Sequence, residues 1–208
     1  WNWFRPGDQR RGAGEPETIA GLVRDLIASG EADRGRADAA GRAAGGAAAA
    51  ILATEYPELF AAAGAHSGLP AGAAADLPAA LAAMRTGAHG AAPARPVRMI
   101  VFHGDADRVV HPANGAALAA QATAAARGLD LRIERGAAGG RAFRRAIHRD
   151  AAGRTVCEHW TVAGAGHAWS GGDPAGGHAD PLGPDASREM LRFFLADRAP
   201  HCPAFPAS

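Results

Sequence analysis

Residues 41–45 read Gly-Arg-Ala-Ala-Gly and lie between a predicted strand and a predicted helix. At such a junction the pattern Gly-x-Ser-x-Gly marks the nucleophile elbow, a sharp turn that lifts a serine hydroxyl above the edge of a sheet. Here the middle position is Ala43, whose methyl group can neither attack a carbonyl carbon nor release a proton. Residues 41–45 therefore predict a nucleophile elbow in which the nucleophile is missing.

The segments around this turn predict a sheet with helices on both faces. The strand before it, residues 37–40, is a poor one, because Asp38 interrupts what should be an apolar run in a buried central strand. The other predicted strands are 60–65, 97–102 and a hairpin of 141–149 and 154–163; the predicted helices are 15–29, 44–56, 77–85, 113–127 and one starting near 184. Strands that alternate with helices indicate the α/β class.

Composition sets the size of the domain and excludes several classes of partner. The chain has 208 residues, of which 48% are hydrophobic, so we expect one domain over residues 1–208. A net charge of +1 and the absence of a basic run argue against nucleic acid and against an acidic membrane surface. No stretch of 18 apolar residues is present to span a membrane. The sequence does not indicate an oligomeric state.

Two acids follow the clearest strand, in the segment Phe102-His-Gly-Asp-Ala-Asp-Arg-Val-Val110. A carboxylate just past the carboxyl end of a strand is well placed to orient a histidine. We favour Asp107 over Asp105, because Gly104 allows the turn and the apolar pair after Asp107 can anchor the loop. The alternative is that both acids only hydrogen-bond the backbone of their own turn.

A glycine-flanked histidine, His167, follows the predicted hairpin within residues 164–172, Gly-Ala-Gly-His-Ala-Trp-Ser-Gly-Gly. A general base needs an exposed ring with a pKa near the working pH, and a glycine-rich loop past a strand gives that exposure. Trp169 either lines an apolar pocket beside it or packs in the core. The chain order elbow, acid, histidine is that of the α/β-hydrolase triad.

Other nucleophiles and metals have weaker support. Ser67 follows a strand, but in a different context from the elbow, and neither Cys157 nor Cys202 follows an elbow pattern. These two cysteines either form a disulfide or remain thiols. Five residues that could ligate a metal show no zinc or iron spacing, so we expect no metal and no cofactor; they are His148, His159, Asp173, His178 and Asp180.

Six segments together resemble the esterase/polyhydroxybutyrate (PHB) depolymerase family. They are Trp1-Asn-Trp-Phe4, Gly41-x-x-Ala-Gly-Gly46, His66-Ser-Gly68, Phe102-His-Gly-Asp-Ala-Asp107, residues 164–172 and Gly183-Pro-Asp-Ala-Ser187. The resemblance implies the α/β-hydrolase fold, a carboxylic ester as substrate (PHB or a short-chain acyl ester), and secretion from the cell, with a cytoplasmic location as the alternative. It also implies that first strands and an early His-Gly loop precede Trp1, so that the domain is N-terminally truncated, and that residues 199–208 form a flexible tail.

The same resemblance implies a role for each site residue. Asp107 would be the triad acid, His167 the base, and Ala44 N–H an oxyanion donor; Ala43 stands at the nucleophile position, where the family has serine. Trp169 and Ser67 are the candidate substrate contacts. We therefore predict that the chain belongs to a family of carboxylic-ester hydrolases but is inactive as written. The alternatives are a non-catalytic pseudoenzyme that binds a ligand and an incomplete fragment of such an esterase.

Overall fold

A computed structural model describes residues 1–196, so the predicted tail at 199–208 and Cys202 lie outside the described residues. The strands are β1 Ala37–Arg42, β2 Phe60–His66, β3 Met99–Gly104, β4 Asp130–Ala138, β5 Arg141–Arg149, β6 Thr155–Val162, β7 Trp169–Ser170 and β8 Ala179–Asp180. The helices are α1 Gly14–Ala28, α2 Ala44–Glu55, α3 Leu77–Thr86, α4 Ala113–Thr123 and α5 Ala186–Leu195, preceded by a 3-10 turn at Pro6–Gln9.

Six strands form the central sheet in the order β1-β2-β3-β6-β5-β4. The first four are parallel to one another, and β5 and β4 extend the sheet as antiparallel strands. This confirms the predicted α/β fold and the predicted hairpin of β5 and β6. The carboxyl ends of β1, β2, β3 and β6 therefore meet at one edge of the sheet, where the elbow, the acid loop and the histidine loop all follow.

Helices cover both faces of the sheet, and the side chains of the central strands alternate between them. On one face α1, α2 and α4 pack on Ala63, Met99 and Cys157. On the other face α5 packs on Ile100 and Trp160. The alternation follows from the period of two in a strand, and burial on both faces accounts for the continuous apolar run of β3.

The expectation that Asp38 spoils a buried central strand was wrong. Strand β1 lies at the edge of the sheet and pairs only with β2, and five of its six residues are half-buried, the sixth being exposed. An edge strand tolerates a polar residue, and Asp38 is itself half-buried. The strand reaches to Arg42, two residues further than predicted.

A buried carboxylate, Glu158, joins the outer strands to the last helix. It is 1% exposed. It accepts hydrogen bonds from Arg145 on β5 (2.7 and 3.0 Å), from Arg192 on α5 (2.6 Å) and from the indole of Trp160 (3.1 Å). Burial raises the pKa of Glu158, but the two guanidinium groups outweigh burial and hold it below its usual value. The carboxylate thus stays ionised at the interface between sheet and helix.

Candidate active site

The elbow is present, and its backbone has the strained conformation of that turn. Ala43, between β1 and α2, has φ 52° and ψ −119°, a region that residues other than glycine rarely occupy. Its N–H donates to the carbonyl oxygen of His66 (2.9 Å), and its own carbonyl accepts from the N–H of Ala47 (3.1 Å). A Cβ on Gly41 would overlap the backbone of Gly45, so glycine is needed for the helix to fold back against the strand.

Ala44 is the first residue of α2. Its N–H, like the others in the first turn, has no acceptor within the helix. Ala43 also offers no capping side chain. The first turn of α2 therefore presents backbone donors at the carboxyl edge of the sheet, in the place where the sequence predicts an oxyanion donor.

Asp107 and His167, 60 residues apart in the chain, are hydrogen-bonded to each other. The ring Nδ1 of His167 lies 2.8 Å from Oδ2 of Asp107. The other oxygen, Oδ1, accepts from the N–H groups of Val109 and Val110, both at 2.9 Å. The histidine side chain is 15% exposed, whereas that of the acid is fully buried. The pair therefore has a fixed acid and a ring that opens to solvent.

The pKa of Asp107 lies well below its usual range. Burial alone would raise this pKa, but hydrogen bonds from His103, His167 and the backbone of Val110 and Val109 outweigh burial. By contrast, Asp105 is exposed and accepts from the N–H of Gly164 (2.7 Å). Of the two acids, Asp107 is thus the one whose carboxylate meets the histidine.

A second histidine, His103, contacts the same carboxylate and was missed by the sequence analysis. It belongs to β3, is 1% exposed, and its Nε2 lies 3.4 Å from Oδ2 of Asp107 and 2.8 Å from the carbonyl oxygen of Val110. A single histidine within a buried strand gives no sequence signal beyond core packing. Its place directly before the Gly-Asp-Ala-Asp loop is the only hint.

The loop that carries His167 is held at two points by neighbouring strands. Nη1 of Arg42, next to the middle of the elbow, donates to the carbonyl oxygen of His167 (2.9 Å). The N–H of Ser170 donates to Nε2 of His66 (3.0 Å), and the indole of Trp169 stacks on that imidazole with centroids 5.0 Å apart. Burial first, and His103 next, lower the pKa of His66 to about 3, so this ring accepts the bond in its neutral form.

The two candidate substrate contacts differ in their accessibility. Trp169 is half-buried, and its indole also donates to the hydroxyl of Ser187 (3.1 Å). Ser67 is fully buried and has φ 50°. A substrate in the site cannot reach this hydroxyl, so the structure argues against Ser67 as a substrate contact. Instead, Ser67 begins the turn after β2, where Gly68 packs against the first turn of α2.

The outer side of the elbow is open. A groove of about 670 Å³ runs along β1 and reaches Ala43, with the side chains of Trp1, Val23 and Leu52 in its walls. Within residues 1–196 no three His, Cys, Asp or Glu side chains are grouped to hold a metal ion. No helix in that part of the chain is long and apolar enough to cross a bilayer.

Comparison with known proteins agrees with this geometry. Residues 1–143 match the family described as Esterase PHB depolymerase. The poly(3-hydroxyalkanoate) depolymerase C of Paucimonas lemoignei is 30% identical over 183 residues, which cover 80% of this chain and 43% of that protein. The chain thus spans less than half the length of this relative.

A solved structure shares the fold. The acetyl xylan esterase from Aspergillus awamori superposes with a TM-score of 0.66 at 21% identity, covering 93% of this chain and 72% of that one. At this identity the similarity supports the fold alone. The match over residues 1–143 covers well over half of the chain and includes the elbow and the acid loop. The chain therefore belongs to the esterase/PHB depolymerase family, within the α/β-hydrolase fold.

Proposed function

We propose that this site is built to hydrolyse carboxylic esters and that the chain as written has lost the nucleophile of the reaction. One observation carries the proposal: a buried acid is hydrogen-bonded to a partly exposed histidine beside a strained strand-to-helix turn. The turn, the acid and the base are three of the parts that acyl transfer requires. The substrate class that fits the family is a polyester of hydroxyalkanoic acids or a short-chain acyl ester, met outside the cell.

With serine at position 43, each part has a defined task. His167 would take the hydroxyl proton through Nε2, because its Nδ1 is bonded to Asp107. Asp107 would hold the ring in that tautomer and stabilise the imidazolium that forms. The N–H of Ala44 would donate to the oxyanion of the tetrahedral intermediate. The hydrogen bond from Arg42 to the carbonyl oxygen of His167 would keep the base beside the elbow.

With Ala43 the covalent route cannot start. In a serine protease, loss of the serine lowers turnover by roughly a factor of 10⁶, about 8 kcal/mol in the barrier. The catalysis left by binding and oxyanion stabilisation is about 10³–10⁴ over water. We therefore propose that this chain is not an efficient esterase.

A second candidate function is ligand binding without turnover. The Asp107–His167 pair is present in the chain as written, and the open groove along β1 reaches Ala43 from the other side of the elbow. An ester that enters the site would then remain intact, since no hydroxyl stands at the elbow. The protein would act as a pseudoenzyme that binds an acyl ester or a hydroxyalkanoate oligomer.

The decisive experiment is Ala43→Ser, made in this chain and in the longest protein that its gene encodes. Hydrolysis of 4-nitrophenyl butyrate should rise at least about 10³-fold over the Ala43 protein. The matched control is Ala43→Ser combined with His167→Gln, which should return to the background rate. The catalytic proposal would be refuted if Ala43→Ser folds both in this chain and in the longer protein but hydrolyses no short-chain ester in either.

Ligand binding is tested on the Ala43 protein itself. A methyl-ester-capped trimer of 3-hydroxybutyrate at 100 times its dissociation constant should stabilise the fold by about 2.7 kcal/mol. The control is the same trimer added to an Ala44→Trp variant, whose indole would fill the mouth of the site. An equal thermal shift in both proteins, or none in either, would rule out the pseudoenzyme.

A further inference from the structure

His103 is a buried histidine that the proposed reaction does not use. It is 1% exposed, and Gly115 on α4 lies so close that a Cβ there would meet the ring Nδ1 at 2.8 Å. That ring nitrogen has no hydrogen-bond partner among the described residues. The opposite nitrogen, Nε2, faces two oxygens, the carbonyl of Val110 and Oδ2 of Asp107.

The two oxygens fix the position of the ring proton. Both a carbonyl oxygen and a carboxylate oxygen only accept, so Nε2 of His103 must carry a proton, which it donates to the carbonyl of Val110 beside Oδ2 of Asp107. The nearer acceptor is the carbonyl of Val110 at 2.8 Å, and Oδ2 of Asp107 lies at 3.4 Å. A second proton on the unpartnered Nδ1 would be a buried donor without an acceptor, which is unfavourable. The contacts of the ring therefore favour a fixed donor at Nε2.

We propose that His103 is a positioning residue for the acid of the site: its Nε2–H ties the Asp107 carboxylate to the backbone of Val110 and so directs Oδ2 at the ring of His167. This inference rests on the proposed function for the role of Asp107. Without His103, the carboxylate would keep the two N–H groups of Val109 and Val110 on Oδ1, but on Oδ2 it would keep only the ring of His167, which lies on a separate loop. The carboxylate could then rotate about its bond to Cβ.

The contact also supports the charge on Asp107. The titratable groups that interact with this carboxylate are His103 on β3, His167 after β6 and His66 at the end of β2, and Arg42 at the end of β1 acts in turn on His66. Two of them reach Oδ2 directly, His167 at 2.8 Å and His103 at 3.4 Å. Loss of the His103 donor should make the carboxylate easier to protonate and its bond to His167 easier to break.

The test compares two polar substitutions of similar size. In His103→Gln the side-chain amide reaches the position of Nε2 and keeps a donor there; in His103→Asn the amide is too short. The readout is the far-downfield proton resonance of the hydrogen bond between His167 and Asp107, followed by NMR as pH is lowered. We expect this resonance to disappear about one pH unit higher in His103→Asn than in the unchanged protein. His103→Gln should behave like the unchanged protein.

Controls separate positioning from simple stability. His148→Asn removes a half-buried histidine of β5 outside the site and should leave the pH midpoint unchanged. Tryptophan fluorescence at each pH shows that the protein is folded when the resonance disappears. Nitrogen-15 shifts of the imidazole rings should show His103 protonated at Nε2.

Two results would overturn the proposal. One is equal midpoints for His103→Asn and His103→Gln, and the other is a proton on Nδ1 of His103. Because no step of the test needs turnover, its outcome is independent of whether Ala43→Ser restores hydrolysis.

Discussion

Replacing Asp107 by asparagine should destabilise the protein by an amount that depends on pH. The carboxylate accepts from the N–H groups of Val109 and Val110 and from the ring of His167, and Nε2 of His103 lies 3.4 Å from its Oδ2. The amide of asparagine can still accept the two backbone bonds through its carbonyl oxygen. Its NH₂ group then faces the proton on Nε2 of His103, a donor against a donor, and forces the ring of His167 into the tautomer that accepts at Nδ1.

The size of the effect follows from the bonds that are lost. A hydrogen bond to a charged group contributes about 1.5–3 kcal/mol, and removing one partner of a buried ionic contact costs about 3–5 kcal/mol. Asp107→Asn should therefore lose about 3 kcal/mol at pH 7. For a chain of this size that lowers Tm by about 6–12 °C.

The pH dependence has a definite sign. Burial raises the pKa of Asp107, but its hydrogen bonds lower it further, so the folded-state pKa lies below the unfolded value of about 3.9. The stabilisation by this ionised group is complete well above pH 3.9 and decreases as pH falls, because the unfolded chain takes up the proton first. Between pH 5 and pH 3 the difference between the two proteins should narrow by about 1.2 kcal/mol.

Urea unfolding at pH 7, 5 and 3, followed by tryptophan fluorescence, measures this difference directly. The matched control is Asp105→Asn, since that exposed acid accepts a single backbone bond, from Gly164. It should lose no more than about 1 kcal/mol at pH 7. A loss for Asp107→Asn that stays constant from pH 7 to pH 3 would show that Asp107 is not an ionised acceptor.

Two further substitutions test the elbow and the last helix. Ala43→Gly should raise the free energy of unfolding by about 1 kcal/mol, because φ 52° is unstrained only for glycine. The control Ala48→Gly, inside α2, should lower the free energy of unfolding by a similar amount. A lower Tm for Ala43→Gly would contradict the strain. Glu158→Gln should lose about 3 kcal/mol in urea unfolding, because two guanidinium groups, those of Arg145 and Arg192, lose their buried partner and Arg145 keeps only the longer contact to Glu134 (3.3 Å). Glu189→Gln, which alters a more exposed partner of Arg192, should lose less than about 1 kcal/mol, and equal losses would contradict the buried network.

A strand could be predicted where its burial produces a clear pattern of apolar residues in the sequence. Strand β3 is buried on both faces and reads as an apolar run, and the loop after it supplies the acid. Strand β4, Asp130–Ala138, was missed because it is the other edge strand and is largely exposed. Its few apolar residues give no clear alternation, and its only partner is β5. Its pairing is set by the neighbouring strand rather than by its own sequence.

The elbow, the acid and the histidine could be predicted because each follows the end of a strand and the three occur in a fixed order along the chain. Asp107 and His167 were chosen on that order, and the structure places them 2.8 Å apart. The contact of Arg42 could not be predicted, because it joins segments that are 125 residues apart in the chain. His103 lies only four residues before Asp107, but the sequence does not show how the loop folds back to bring the two side chains together. Ser67 was misjudged, since a serine after a strand can turn inward as readily as outward, and here it is fully buried.

The backbone conformation of the elbow does not depend on a reactive side chain at its centre. Ala43 keeps its strained backbone although it has no chemistry to perform. The conformation is enforced by its surroundings: the close approach of Gly41 to Gly45, and the backbone bond from Ala43 to His66. Alanine and serine differ by one oxygen atom, and none of these contacts involves the side chain of residue 43, so either residue can occupy the turn. A chain can therefore keep the strained turn of an elbow, and the hydrogen-bonded pair of Asp107 and His167, with an alanine at the centre of the turn.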